Sequence, residues 1–188
     1  MVKKLTIINA LEPFLSRSKK ELHLAEIARI INEPHPTTRQ WLNRLQKEGV
    51  LLKESKGRLT LYRLDLNNYL ILNYLVISEK DRLIKKCEKS LLFRELANSL
   101  IENLDENAMC LIFGSASEDF DKAGDIDLLI IGKTDETRIK NISSRLNKEL
   151  HIINVSRLSK ISKALKEEII KKHLIIQGSE SILRWMMW

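Results

Sequence analysis

Two carboxylates with strand spacing are the residues of this chain best suited to chemistry. Asp125 and Asp127 flank Ile126 and run into the apolar segment 128–131. Because side chains alternate between faces along a β-strand, a strand here directs both carboxylates to the same side. Two like charges on one face repel each other, and burying them without a partner is costly. The spacing therefore predicts a bound divalent cation, and hard oxygen ligands favour Mg²⁺.

A glycine–serine pair precedes these carboxylates. Gly114 and Ser115 follow the apolar run 109–113, and nine residues separate Ser115 from Asp125. Glycine permits a tight turn at the end of a strand, with backbone amides directed into a cavity. With a serine hydroxyl beside it, such a turn suits the phosphates of a nucleotide. A metal site and a phosphate site are therefore predicted in one segment.

The order of apolar strand, Gly-Ser, nine-residue loop, Asp-Ile-Asp and apolar strand resembles the polymerase-β-like nucleotidyltransferase superfamily. More narrowly, it is similar to the minimal nucleotidyltransferases and their winged-helix-fused relatives. The motif covers 109–132, and we extend the resemblance to 107–188. It implies an α/β domain with a mixed sheet that transfers a nucleoside monophosphate from an NTP, ATP by preference, to an acceptor. The acceptors it implies are a hydroxyl of a partner protein, a small molecule or an RNA end.

The resemblance also implies roles for single residues. Asp125 and Asp127 become catalytic ligands of Mg²⁺ (or Mn²⁺), and Gly114 and Ser115 bind the nucleotide. The bound metal would neutralise the triphosphate and stabilise charge during in-line attack at the α-phosphate.

The third carboxylate that such enzymes commonly carry on a later strand is missing here. The corresponding strand is 150–155, and the matching position is His151. Glu149 lies two residues earlier on the same face and takes this place if the register differs. A histidine can act as a base near neutral pH, which makes His151 the third catalytic candidate. The simpler interpretation is a half-exposed strand histidine without a catalytic role.

The excess positive charge of the chain lies in its first third. The net charge is +7, and residues 1–64 hold 13 Lys/Arg against 6 Asp/Glu, so the remaining chain is neutral. A small basic unit joined to a neutral one predicts a module that binds a polyanion such as nucleic acid.

Hydrophobic spacing over 5–64 predicts three helices and a hairpin. Apolar residues recur at helical intervals around Leu11, Ile27 and Leu42, and the segment 32–36 contains two prolines that end the second helix. We expect Thr37 or Thr38 to cap the third helix. Two strands, 50–55 and 58–64, follow, with Gly57 in the turn between them.

This order resembles the winged-helix domains of bacterial and archaeal transcription regulators. The resemblance implies that the third helix lies in the DNA major groove and that the hairpin adds charge. Winged helices also serve as protein-interaction modules, but the charge and the composition of the third helix favour DNA. The predicted DNA-binding residues are Thr37, Arg39, Gln40, Asn43, Arg44, Lys47, Lys56 and Arg58.

The predicted fold class is α+β in three parts: a winged helix-turn-helix (1–65), a helical connector (66–106) and a nucleotidyltransferase-like domain (107–188). Spacing in the connector predicts one long amphipathic helix, which either joins the domains or makes the chain a homodimer. In the tail we expect a helix through Ile169 and Leu174, a turn at Gly178 and a final helix.

Composition also limits the compartment. Cys87 and Cys110 are far apart, which is typical of free thiols in a reducing environment. No stretch approaches the ~18 apolar residues of a membrane span, and the N-terminus lacks the pattern of a signal peptide. A cytoplasmic protein without a membrane partner is therefore expected.

Two functions follow. The first is a DNA-binding nucleotidyltransferase that uses NTP and Mg²⁺. The second is a DNA-binding transcription regulator or antitoxin whose C-terminal domain binds a nucleotide without catalysis. The absent third carboxylate favours the second, and the intact Gly-Ser and Asp-x-Asp motifs favour the first.

Overall fold

The structure is a computed structural model and describes residues 6–17, 21–57, 59–134, 139 and 148–188. Within these ranges the fold is mixed α+β with two sheets. The chain divides into two compact units, Met1–Ser78 with Met187 and Glu79–Met186 with Trp188. The three domain limits expected from the sequence stay a prediction. Arg58 lies outside the described residues.

The N-terminal unit contains the predicted helices with altered bounds. A 3-10 turn (Asn9–Leu11) is followed by α1 (Glu12–Leu15), α2 (Leu24–Ile31) and α3 (His35–Lys47). α2 ends at Asn32, which has a left-handed backbone conformation (φ 54°). α3 begins at His35, before the expected cap at Thr37 or Thr38, because Pro36 is tolerated in a first turn, whose amides lack helical partners.

A three-stranded antiparallel sheet completes this unit within the described residues. Its strands are β1 (Leu22–His23), β2 (Leu51–Lys56) and β3 (Leu59–Leu64), in the order β1-β3-β2. The hairpin pairs Leu51 with Leu64 and Lys56 with Leu59, and Gly57 in its turn has a φ of +62°. The predicted hairpin is present. β1 was not predicted, because two residues are too few for an alternating pattern.

The apolar stripes of the helices form the core of this unit. Phe14, Ile27, Leu42 and Leu45 are at most 1% exposed. Their burial fixes α3 against the hairpin and leaves its polar side outside. The orientation of α3 therefore follows from its own periodicity.

Two helices stand where the sequence predicts one. α4 spans Ile71–Lys89 and α5 spans Leu91–Asn103. Ser90 interrupts them: its backbone is extended, its hydroxyl accepts the N–H of Phe93 at 3.2 Å, and it donates to Asp121 at 2.6 Å. Serine at this N-cap position stabilises the start of α5, so a new helix begins without a break in the hydrophobic spacing.

The C-terminal unit is built on a mixed sheet with the strand order β6-β5-β4-β7. Its strands are β4 (Met109–Phe113), β5 (Asp125–Ile131), β6 (Glu149–Val155) and β7 (His173–Gln177). β4 pairs antiparallel with β5 and β7, and β5 pairs parallel with β6. The other elements are α6 (Ser115–Glu118), a 3-10 turn (Leu158–Lys160), α7 (Lys163–Lys171) and α8 (Ser179–Met187).

The expected helix through Leu174 was wrong. α7 ends at Lys171, and Leu174 lies in β7 opposite Ile112 of β4. The periodicity of a short apolar run fits a buried strand and a buried helix equally well. Here the segment is a strand, because it pairs with β4. Gly178, with a φ of +79°, then opens α8 at the predicted turn.

Neither cysteine is in a disulfide. Cys110 is buried in β4, and burial raises the pKa of its thiol; burial also raises the pKa of Cys87. Both thiols are therefore poor nucleophiles. Among the described residues, no helix combines the length and apolar character needed to cross a membrane.

A buried ionisable cluster ties α4 to β7. The side chains of Glu79 and His173 have no exposed surface. Glu79 accepts the N–H of Ile175 at 2.7 Å and pairs with Arg82 at 2.9 Å, and Arg82 donates to the carbonyl of His173. Burial, and then the charge of Arg82, lower the pKa of His173 well below its ordinary value. His173 is therefore held neutral in the fold.

We expect the free energy of unfolding to fall as the pH drops below about 6.5, the ordinary pKa of histidine. Below this pH the unfolded chain binds a proton at His173 that the folded chain does not, so the loss approaches about 1.4 kcal/mol per pH unit. Urea unfolding at a series of pH values measures it. His173→Asn should flatten the dependence and His23→Asn should not; equal slopes for both variants would contradict the assignment.

Candidate functional site

Asp125 and Asp127 are the first and third residues of β5. Ile126 between them is fully buried, whereas the two carboxylate side chains are 48% and 32% exposed. The alternation of the strand thus sends Ile126 into the core and both acids to the opposite, solvent-accessible face. The two carboxylates are partly hydrated, which reduces their mutual repulsion but does not remove it.

His151 completes a three-residue cluster. β6 places it directly opposite Asp127. Its Nδ1 lies 3.6 Å from Oδ2 of Asp125 and 3.4 Å from Oδ1 of Asp127. One donor atom from each of the three residues lies within 4.8 Å of the others. The three residues that the sequence nominated as catalytic are therefore neighbours.

Glu149, the alternative third acid, lies opposite Asp125. Its Oε1 is 3.4 Å from Nε2 of His151, on the other side of the imidazole from the two aspartates. Desolvation lowers the pKa of His151, but hydrogen bonds to Glu149 and Asp127 and the charges of Glu149 and Asp125 outweigh it, so the net pKa is raised. The protonated imidazole is a positive partner for the surrounding acids.

Gly114 follows β4 and faces Asp127. Phe113 is paired with Asp127, so the next residue leaves the sheet beside that carboxylate. Gly114 has a φ of +69°, and a Cβ atom added there would lie 2.6 Å from Oδ2 of Asp127. Only glycine combines this backbone conformation with this close approach. The carboxylate of Asp127 can therefore lie this close to the backbone only because residue 114 has no side chain.

Ser115 is the exposed first residue of α6, which has four residues. The turn before it is held from two sides: Gly114 donates its N–H to the carbonyl of Lys172 at 3.2 Å, and Ser117 donates its hydroxyl to the carbonyl of Gly114 at 2.8 Å. Lys172 also pairs with Glu118 at 2.7 Å. The sequence analysis missed Lys172, because nothing local connects it with the Gly-Ser pair.

The donor set of the cluster fits a divalent cation. Two carboxylate oxygens suit Mg²⁺ or Mn²⁺, and one imidazole nitrogen shifts the preference toward Mn²⁺ and other transition metals. The exposure of Asp125 and Asp127 leaves room for ligands from outside the chain, such as phosphate oxygens or water. A cation of this kind would replace the proton on His151 as the positive partner of the acids.

A second group of predicted residues lies on α3 of the N-terminal unit. Arg39, Gln40, Arg44 and Lys47 are exposed, and Thr37 and Asn43 are half-buried. Arg44 pairs with Glu48 at 3.0 Å, and Asn43 accepts a hydrogen bond from Lys53 of β2 at 3.3 Å. Lys56 of β2 is exposed and pairs with Glu21 at 2.7 Å, which raises the pKa of Lys56. α3 therefore presents cationic and amide side chains on one accessible side.

Comparison with known proteins gives little. The chain matches no protein-family model and no curated protein. Among solved structures, this chain is similar to TrmBL2, an archaeal chromatin protein whose structure is described as showing a novel mode of DNA binding. The identity is 19%, the TM-score is 0.28, and the match covers 85% of this chain and 67% of that one. The functions proposed below rest on the side chains of the two units.

We expect Gly114→Ala to destabilise the protein by about 1–3 kcal/mol, because it places a side chain at positive φ, and to weaken Mn²⁺ binding by displacing Asp127. Gly57→Ala is the matched control: its φ is +62°, but a Cβ atom there meets nothing within 4 Å. Urea unfolding gives the stability, and electron paramagnetic resonance gives the free Mn²⁺. Equal Mn²⁺ affinity in the two variants would show that the contact with Asp127 does not matter.

Proposed function

We propose that the C-terminal unit binds a divalent cation together with a nucleoside triphosphate and transfers the nucleoside monophosphate to an acceptor, while the N-terminal unit binds DNA. The observation that supports the first part is the position of Asp125, Asp127 and His151 on one accessible face, with Gly114 beside them. These residues provide three possible metal ligands at one place, with the backbone of Gly114 close to one of them.

In this proposal Asp125, Asp127 and His151 hold the cation, which would supply charge stabilisation for the triphosphate. The exposed Ser115, which follows Gly114, would place its hydroxyl near the phosphate oxygens. The acceptor hydroxyl attacks the α-phosphorus, the bond from that phosphorus to the bridging oxygen of the β-phosphate breaks, and pyrophosphate leaves. The hydroxyl proton passes to solvent. His151 acts as the third ligand and not as a base, because its Nδ1 faces both aspartates.

The alternative is nucleotide binding without transfer, as in a regulator or an antitoxin. One observation favours it: the third ligand would be the neutral imidazole of His151, so the cluster carries less negative charge than three carboxylates. Fewer negative ligands hold Mg²⁺ less firmly during the charge movement of the reaction. Binding and turnover must therefore be measured separately.

DNA binding by the N-terminal unit is supported by a different observation. The order of helices and strands in this unit resembles that of a winged helix-turn-helix, in which α3 would be the recognition helix. Gln40 and Arg39 project from the accessible side of α3, where a major groove would be read, and Lys47 is placed for a phosphate. The positive charge of residues 1–64 supports the same assignment.

We expect Asp127→Asn to weaken binding of Mn²⁺ and of metal-bound ATP by about 100-fold or more, since loss of even an outer-shell partner costs about 10–100-fold. The matched control is Asp119→Asn, an exposed aspartate paired with Lys122 in the same unit. Calorimetry measures binding, and release of labelled pyrophosphate from γ-labelled ATP measures transfer.

Metal-dependent pyrophosphate release that is lost in Asp127→Asn supports the enzyme. Binding of ATP without release supports the regulator. If wild-type protein binds neither Mn²⁺ nor ATP, or if the two variants behave alike, both versions of the C-terminal function are wrong.

For the DNA function, we expect Lys47→Gln to weaken binding to any duplex and to lower the slope of log affinity against log salt by about 1. Gln40→Ala should leave that slope unchanged and relax sequence preference. Fluorescence anisotropy on duplexes at several salt concentrations measures both. Lys122→Gln, which removes the same charge from the other unit, should change neither; an equal effect there would point to net charge alone.

A further inference from the structure

A cavity of about 270 Å³ lies in the N-terminal unit, away from the residues predicted for base recognition except Arg39. It is bounded by the first residues of α2 and α3 and by β2 and β3. Polar walls come from His23, His35, Arg39, Lys53 and Tyr62. These polar side chains therefore come from the residue before α2, from α3 and from both strands of the hairpin.

The charge of this cavity has one sign. Arg39 and Lys53 are basic side chains, and the imidazoles of His23 and His35 add further hydrogen-bonding nitrogens. Among the described residues that line the cavity, none is acidic. By contrast, Lys56, on the same hairpin, is paired with Glu21 and does not line it. The cavity therefore favours an anion.

Tyr62 contributes a polar group to this cavity. It is 2% exposed, and its hydroxyl has no hydrogen-bond partner among the described residues. Burial raises the pKa of this hydroxyl and the nearby charge of Arg39 opposes the rise, which leaves it a donor at neutral pH. This hydroxyl is not one of the fully buried polar atoms that lack a partner, and Tyr62 lines the cavity, so an anionic oxygen there can accept its hydrogen bond.

Two helix N-termini meet the same space. His23 is the N-cap of α2 and Pro34 the N-cap of α3, and neither provides a side-chain hydrogen bond to the first turn. Leu24 and Ala25, in the first turn of α2, line the cavity. Uncapped amides and the positive end of the helix dipole both favour a negatively charged oxygen at such a position.

We propose that this cavity is a binding site for the phosphate group of a nucleotide, either free or within a DNA strand. The volume is about nine times the ~30 Å³ of one water molecule, which leaves room for a phosphate with its attached sugar. If the phosphate belongs to DNA, the proposal rests on the proposed function of the N-terminal unit. If it belongs to a free nucleotide, the proposal is independent of that function.

Calorimetric titration of the full chain with inorganic phosphate and with adenosine 5′-monophosphate, at constant ionic strength, tests the site. We expect saturable binding that Lys53→Gln weakens about tenfold or more, because a hydrogen bond to a charged group contributes roughly a tenfold factor in affinity. Tyr62→Phe keeps the ring and removes the hydroxyl, and should weaken binding by about two- to tenfold. Lys122→Gln, which removes the same charge from the other unit, is the matched control and should change affinity less than about twofold.

A parallel titration with a DNA duplex distinguishes the two sources of phosphate. Equal losses of phosphate and duplex affinity in Lys53→Gln assign the site to a DNA phosphate, and loss of phosphate affinity alone assigns it to a free nucleotide. Phosphate binding without any duplex binding would leave the site in place and refute the DNA function. The site is refuted if neither phosphate nor the monophosphate saturates, or if Lys53→Gln and Lys122→Gln act alike.

Discussion

Repulsion between the carboxylates of Asp125 and Asp127 is the interaction on which the C-terminal unit depends. The pleat of β5 directs both to one face, while Ile126 is buried in the core. A positive group beside them reduces their repulsion. The imidazole of His151 fills that role when it is protonated, and a divalent cation held by the same three side chains would fill it more strongly.

The N-terminal unit has the opposite electrostatic character. Residues 1–64 hold more cations than acids, and the fold places several of the described cations on the accessible side of α3 and at the cavity lined by Lys53 and Tyr62. Arg39 belongs to both. A polyanion that approaches α3 is therefore close to a second, partly enclosed group of donors. The two units thus differ in electrostatic character: the N-terminal unit presents cationic side chains, and the C-terminal unit presents the acids Asp125 and Asp127 beside His151.

The spacing of apolar and turn-forming residues along the chain was sufficient to predict the elements that local interactions stabilise. The three N-terminal helices and the hairpin at Gly57 follow from periodicity and turn chemistry within a few residues. The same spacing gave wrong predictions where tertiary contacts determine the secondary structure. Ser90 splits a continuous apolar stripe into two helices, because its hydroxyl caps α5 and reaches Asp121. Leu174 has helical neighbours in sequence but becomes part of β7, because β4 offers it backbone partners.

The sequence by itself determined that Asp125 and Asp127 share a face, because residues i and i+2 of a strand always do. It also placed a glycine where a strand ends. Only the tertiary structure decided that β6 runs parallel to β5 in the register that brings His151, and not Glu149, opposite Asp127. It likewise decided that Gly114 touches that same carboxylate. Strand order and register depend on backbone hydrogen bonds between segments far apart in the chain, and no local pattern of residues specifies them.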